Sequence, residues 1–387
     1  MVSPDVKRFL KKLSLALLAA GLFAGFSVGF LFYSGEMLPV EKVVEMRVRS
    51  PGSVSMYGCL YSSPKLYYQW QVVLRTAPEV LAFGTSRNQE MRSEFFRAGV
   101  TFYNASNPAS KLESYKYFVD SIPPGREPSV LIVGLDQFFF NRAWEYYSAP
   151  LPPASAFSPE QDYSEILKLG IPGVHRDLIR DGLPHGLISL RRDGRIGLSA
   201  LLDNNGLRAD GSLSVNTARI KPSRHNDALR FVESGRSAFA YGFEVYPAAL
   251  ERLEEFLSAC RARGIYVVAF LPPYAHCVYE AMSAKGDKYA YLARLRAVLP
   301  GVFRRHGFGF HDFTDLKDVG ASDLETIDGY HGSEKAYLRL FIRMAGTDPR
   351  LGRLTDVPLL KARLAAAADD FTVFGDRSAG RHFRGAQ

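Results

Sequence analysis

Cysteine is scarce in this chain. Cys59, Cys260 and Cys277 are the only three in 387 residues, and no pair has CxxC spacing. Neither a disulfide framework nor a zinc site is therefore indicated. An odd number leaves at least one thiol free, and a single disulfide stays open for an exported domain. Histidine and carboxylates form no second cluster with metal-ligand spacing, so no metal and no cofactor is expected; the nearest approach is His311, Asp312 and Asp315. No internal repeat is visible. The chain also lacks a basic stripe interleaved with aromatics. Its net charge of +8 sits partly in Lys7, Arg8, Lys11 and Lys12 and partly in Arg377, Arg381 and Arg384. That distribution argues against a nucleic-acid partner. A disordered chain is excluded over most of the length, because 47% of residues are hydrophobic, with 27 Phe and 20 Tyr. One large domain of about 300 residues with terminal extensions fits this composition.

Leu13 to Tyr33 is an unbroken run of 21 uncharged, mostly apolar residues, long enough to span a bilayer as a helix. Four cations precede it, and Glu36, Glu41 and Glu45 follow. The positive-inside rule keeps residues 1–12 cytoplasmic and sends the remainder outside. A cleaved signal peptide is the rival reading, but its apolar core is normally shorter, and no A-x-A site ends the run. Within the span Gly21, Gly25 and Gly29 recur every fourth residue. They line one face that either receives another membrane helix or merely reflects how common glycine is in such helices.

After a mixed connector over 34–77, short apolar runs rich in β-branched residues appear at intervals. They are Val80–Phe83, Val100–Tyr103, Val130–Val133, Ile265–Leu271 and Phe308–Phe310. Such runs read as strands of a parallel sheet buried on both faces. Helical periodicity lies between them: 248–263 ends before Gly264 and 289–306 before Gly307, two good C-caps. Strands alternating with helices imply an α/β class with a doubly wound, mostly parallel five-stranded sheet over 78–345. Residues 141–240, rich in Pro, Gly, Ser, Arg and Asp, break the rhythm and read as an insertion, a cap or substrate-facing lobe. In the extension 346–387, residues 357–370 suit an amphipathic helix, and the Gly/Arg-rich end is expected to lack order.

In doubly wound sheets chemistry gathers beyond the C-terminal strand ends. Gly84-Thr85-Ser86-Arg87 stands where the first core strand ends. A serine on a strand-to-helix turn can project its hydroxyl while helix N–H groups face an oxyanion. Alone, the pattern equally fits a serine N-cap. Asp328-Gly329-Tyr330-His331 follows the last strand. A carboxylate three residues before a histidine can fix the imidazole tautomer and make it a base for a serine, although a lone D-x-x-H is also a common solvated turn. Strand order brings the two motifs to one sheet edge, and together they name Ser86, His331 and Asp328 as a triad.

At this point the chain resembles the SGNH (GDSL-like) hydrolase superfamily. Gly84-Thr85-Ser86 stands for its G-D-S block and Asp328–His331 for its D-x-x-H block. Asn104-Ala105-Ser106 follows the second strand, where the family places an oxyanion loop; an ungapped reading puts Ala109 at the family's glycine. Gly134-Leu135-Asp136-Gln137 follows the third strand, where the family has G-x-N-D. Asp136 replaces an asparagine, and an ionised carboxylate cannot donate to an oxyanion; Gln137 offers an amide from the next position. The resemblance thus implies an SGNH-like three-layer sandwich and an oxyanion hole drawn from Ser86, Ala109 and Gln137. The single span together with this domain looks like the DltD and AlgJ/AlgX group.

That likeness implies an extracytoplasmic O-acyltransferase acting on a cell-envelope polysaccharide through acyl-Ser86, at the bacterial inner membrane. A membrane-bound O-acyltransferase (MBOAT) would be its partner. A carbohydrate esterase would use the same residues. A non-catalytic accessory protein that binds polymer and docks the acyltransferase is the alternative from another class, and a metal-dependent phosphoesterase is a third. Arg87 reads either as a contact to a substrate anion or as a structural ion pair. His276, in Pro272-Pro273-Tyr274-Ala275-His276, reads as acceptor-groove lining or as an ordinary surface histidine. Phe138–Phe140 and Trp144 read as sugar-stacking rings or as packing.

Overall fold

The structure is a computed structural model that describes residues 3–50, 52–61, 65–107, 109–148, 159–181 and 193–374. The expectation for the Gly/Arg-rich end from 375 onward lies outside these residues. The chain divides into two units. One comprises 1–72, 154–209 and 213–216; the other comprises 73–153, 210–212 and 217–387.

The larger unit is built on the runs that the sequence singled out. Its strands are β2 (Val80–Phe83), β3 (Phe102–Asn104), β4 (Val130–Gly134), β8 (Tyr266–Leu271) and β9 (Gly309–Asp312), after the short β1 (Met56–Tyr57) of the other unit. They form one all-parallel sheet in the order β3-β2-β4-β8-β9, with Ala82 opposite both Asn104 and Ile132. Successive side chains alternate between faces. Phe83 stacks on Phe118 of the Glu113–Ser121 helix at 3.9 Å, whereas Phe270 meets Tyr337 of the Glu334–Thr347 helix at 6.2 Å. Helices therefore cover both faces, which is why these strands lack polar alternation. The expected C-caps hold: Gly264 and Gly307 take φ of +71° and +72° after the helices Pro247–Ala262 and Ala290–His306.

The smaller unit carries β5 (Arg195–Ile196), β6 (Gly206–Arg208) and β7 (Leu213–Ser214), joined to β1 in the order β5-β1-β6-β7. Helix Pro4–Ser34 is long and apolar enough to cross a membrane. A Cβ on Gly21, Gly25 or Gly29 would meet no atom within 4 Å. Beyond the helix, Glu36 is buried and accepts from the backbone N–H of Leu60 and Tyr61 (2.7 Å each) and Leu198 (2.8 Å).

Two expected boundaries change. The insertion expected at 141–240 is not one lobe: 154–209 and 213–216 join the N-terminal unit, while 217–240 belongs with the large sheet. The larger unit also does not end at 345. The helix Val357–Ala365 replaces the longer 357–370 expectation, and Leu360, Val373 and Phe374 pack into the core on the β2–β4–β8 sheet. The N–H groups of Val373 and Phe374 donate to buried Glu334. All three cysteines are free thiols.

Candidate active site

Val80–Phe83 is fully buried, and the chain must turn sharply where β2 ends. Gly84 makes the turn possible, because a Cβ there would stand 3.1 Å from the Gly134 carbonyl oxygen. The expected helix after Ser86 is a single 3₁₀ turn, Ser86–Asn88, and Thr85 rather than Ser86 caps it by accepting from Arg87 N–H at 3.1 Å. Ser86 is thereby left free to project. Its N–H has no intramolecular acceptor among the described residues.

Ser86 Oγ lies 2.9 Å from His331 Nε2. His331 Nδ1 lies 2.7 Å from Asp328 Oδ2, and Asp328 Oδ1 accepts from the N–H groups of Tyr330 (2.9 Å) and His331 (2.7 Å). Those bonds close the Asp328–His331 turn with Gly329 at φ +79°. Burial works to raise the Asp328 carboxyl, but the His331 ring and the two backbone donors outweigh it and hold it below the ordinary carboxylate value. With Asp328 as acceptor, Nδ1 carries the proton and Nε2 is free to accept from Ser86. The site is open: the side chains of His331 and Asp328 are 28% and 43% exposed.

Two of the expected contacts are redirected inward. Arg87 cannot meet a substrate anion, because it is buried and its donors are spent. Nη1 donates to Asp136 Oδ1 (2.8 Å) and Gln137 Oε1 (2.9 Å), Nη2 to the carbonyls of Pro272 (3.0 Å) and Pro273 (2.7 Å), and Nε to Tyr330 O (3.0 Å). Its guanidinium lies 4.4 Å from the Tyr274 ring centre and 4.6 Å from that of Tyr330. Gln137 is not an oxyanion donor either: it is fully buried, and its amide donates to Pro272 O (2.7 Å) and Thr314 Oγ1 (3.2 Å). The N–H of Ala109, the third expected donor, is directed at Gly84 O at 3.4 Å. A second donor beside Ser86 N–H is thus not supplied by either expected residue.

Asp136 receives Thr85 Oγ1 (2.6 Å) as well as Arg87. Burial raises its carboxyl, opposed by Arg87 and Thr85, while Asp136 in turn pushes the buried guanidinium further toward the charged form. A charge pair in such surroundings is sustained only by full hydrogen bonding, which this one has. Of the two readings of Arg87 the structural ion pair is the one found, with Asp136 as its partner; the sequence reading did not foresee that partner or the packing of Tyr274 and Tyr330 around it. Its only sequence signal is complementary charge, with an arginine after Ser86 and an aspartate just beyond the neighbouring strand.

His276 binds Asp315 through Nδ1 (3.0 Å), and its Nε2 lies 3.1 Å from Glu280 and 3.3 Å from Lys317. No contact to the triad brings it into the site. Phe138, Phe139 and Phe140 are buried core residues rather than a sugar platform, and Trp144 packs at 4.3 Å from Phe138 while donating to Ser110 O. Asp312 pairs with Arg296 and accepts from Thr314. Among the described residues no group of three or more His, Cys, Asp or Glu side chains is placed to hold a metal ion.

Compared with protein-family models, with curated proteins and with solved structures, the chain finds no match.

Proposed function

We propose that this chain is a membrane-anchored serine acyltransferase of the SGNH type, working through an acyl-Ser86 ester. The observation that carries the reading is the Ser86–His331–Asp328 hydrogen-bonded chain, with distances of 2.9 and 2.7 Å. Both contacts lie within the reach that nucleophile, base and orienting group require. The order β3-β2-β4-β8-β9 adds support. Counted within the sheet it runs 2-1-3-4-5, a doubly wound order whose reversal falls at the strand preceding Ser86.

In this mechanism Ser86 Oγ attacks the carbonyl carbon of an acyl donor as His331 Nε2 takes its proton. Ser86 N–H faces the developing oxyanion. Collapse of the tetrahedral intermediate breaks the donor's acyl bond, and His331 returns the proton to the leaving group. The acceptor hydroxyl then attacks acyl-Ser86, giving its proton to Nε2, and Ser86 leaves with that proton restored. Asp328 stabilises the cationic imidazole in both halves. A water molecule in place of the acceptor turns the same cycle into an esterase. The open site suits a bulky acceptor such as an envelope polysaccharide. The 31-residue helix Pro4–Ser34 suits an anchor with the basic N-terminus inside and the sheet domain outside a bacterial inner membrane. A membrane-bound O-acyltransferase would supply the acyl group.

A scaffold reading draws on one observation: Gln137 and Asp136 are locked into the interior and Ala109 N–H is turned on Gly84. Loss of one oxyanion donor removes about 3–4 kcal/mol of transition-state stabilisation. The test is a serine-directed fluorophosphonate on the purified full chain. Labelling of the wild type that Ser86→Ala abolishes is expected. An unlabelled wild type, or a labelled Ser86→Ala, overturns the enzyme reading.

A further inference from the structure

Ser86 and His331 meet across 245 residues of sequence, and neither is gripped directly by the core. Each is instead held through its chain neighbours. Thr85 and Arg87 flank Ser86; Thr85 donates to Asp136 Oδ2, and Arg87 donates to Asp136 Oδ1. Tyr330 precedes His331, and its carbonyl accepts from Arg87 Nε while its ring lies against the guanidinium. The same guanidinium reaches the Pro272 and Pro273 carbonyls just beyond β8 and the Gln137 oxygen just beyond β4. One planar cation therefore ties together the chain ends that carry the nucleophile and the base.

We propose that Arg87 is the positioning residue of this site. It sets the Ser86–His331 distance by clamping the nucleophile turn to the Asp328–His331 turn, with Asp136 as its fixed counter-charge. The inference rests on the serine-enzyme reading above. It also explains why a carboxylate replaces the amide expected at position 136: an asparagine would leave the buried guanidinium without a neutralising partner. All five hydrogen bonds of the side chain go to internal acceptors, and the rings of Tyr274 and Tyr330 lie against the guanidinium, so substrate binding has no share in Arg87's role. Lysine cannot substitute, because a single ammonium lacks the planar fork that reaches Asp136, Tyr330 O and the two proline carbonyls at once.

The experiment compares the full chain with Arg87→Lys and with Phe341→Leu, a core change in the Glu334–Thr347 helix that tracks destabilisation alone. Hydrolysis of a small acetyl ester and the rate of fluorophosphonate labelling are measured on folded protein well below each Tm. Displacing reacting groups by about 1 Å costs roughly a hundredfold, so Arg87→Lys is expected to lower kcat and the labelling rate by about tenfold or more. KM should stay within about twofold, as befits a change in the transition state rather than in ground-state binding. Phe341→Leu should lower Tm with kcat unchanged. Wild-type kcat per folded Arg87→Lys molecule overturns the positioning role, as does a raised KM with kcat intact. So does an equal kcat loss in Phe341→Leu, because destabilisation alone would then account for it. If Arg87→Lys does not fold, Asp136→Asn takes its place, and wild-type kcat there overturns the clamp. A wild type that neither hydrolyses nor labels fails the enzyme reading itself, a result distinct from all of these.

Discussion

Gly329→Ala probes the turn that carries His331, and Gly264→Ala calibrates it. Both glycines adopt the left-handed backbone, at φ +79° and +71°. An alanine pays about 1–2 kcal/mol for that conformation wherever it occurs. Around Gly264 nothing lies within 4 Å of an added Cβ, so its variant reports the backbone cost alone. At Gly329 the added Cβ would stand 3.1 Å from Val278 Cγ2 and 3.2 Å from His225 Cδ2. Neither neighbour withdraws freely: Val278 is buried, and His225 Nε2 is bonded to Thr326 Oγ1 at 2.9 Å. Relief comes either from moving them, in the range of about 1–3 kcal/mol for overpacking, or from moving the turn. Gly329→Ala should therefore lose about 2–5 kcal/mol in all against about 1–2 for Gly264→Ala. Urea unfolding of the purified full chain measures the pair, and kcat for a small ester should fall in the Gly329 variant alone. Equal stability losses with full activity in both variants would refute the claim that this turn is packed to a fixed position.

Further perturbations follow from the same geometry. Asp328 has a carboxyl pKa held below its unfolded value of about 3.9. Its contribution to stability is thus fully present above about pH 4 and is lost as pH falls through the folded value. Asp328→Asn should flatten that part of the Tm-against-pH curve, and an unchanged acid limb would contradict the assignment. Glu36→Ala orphans the N–H groups of Leu60, Tyr61 and Leu198. At about 1–3 kcal/mol each the loss should exceed about 3 kcal/mol, with Glu36→Gln intermediate, as read by proteolysis of the N-terminal unit. Tyr115→Phe removes a buried 2.6 Å bond to Gly134 O and should cost about 1 kcal/mol in urea unfolding.

Much of the sheet was legible in the sequence, because burial on both faces writes itself as short continuous apolar runs. Val80–Phe83 coincides with β2, and the runs near 130, 266 and 309 differ from their strands by one or two residues. Gly264 and Gly307 marked helix ends for a local reason, since a left-handed C-cap needs no partner far away. That Ser86, His331 and Asp328 come together was legible because each motif lies beyond the C-terminal end of its strand, and parallel strands put those ends on one edge. The C-terminal extension was misjudged, since residues 346–374 have weak periodicity of their own and join the core through Glu334, Leu360 and Phe374.

Composition and pattern alone determined the α/β class, the long apolar N-terminal helix, and the three residues that could act as nucleophile, base and orienting acid. Only the tertiary structure decided what the polar residues around them do. Whether Gln137 faces an oxyanion or Pro272, and whether Arg87 meets a substrate or Asp136, depends on acceptors that lie between 49 and 243 residues away in the chain. A hydrophobic run carries its own instruction to be buried, whereas a buried donor is defined by the acceptor the fold delivers to it.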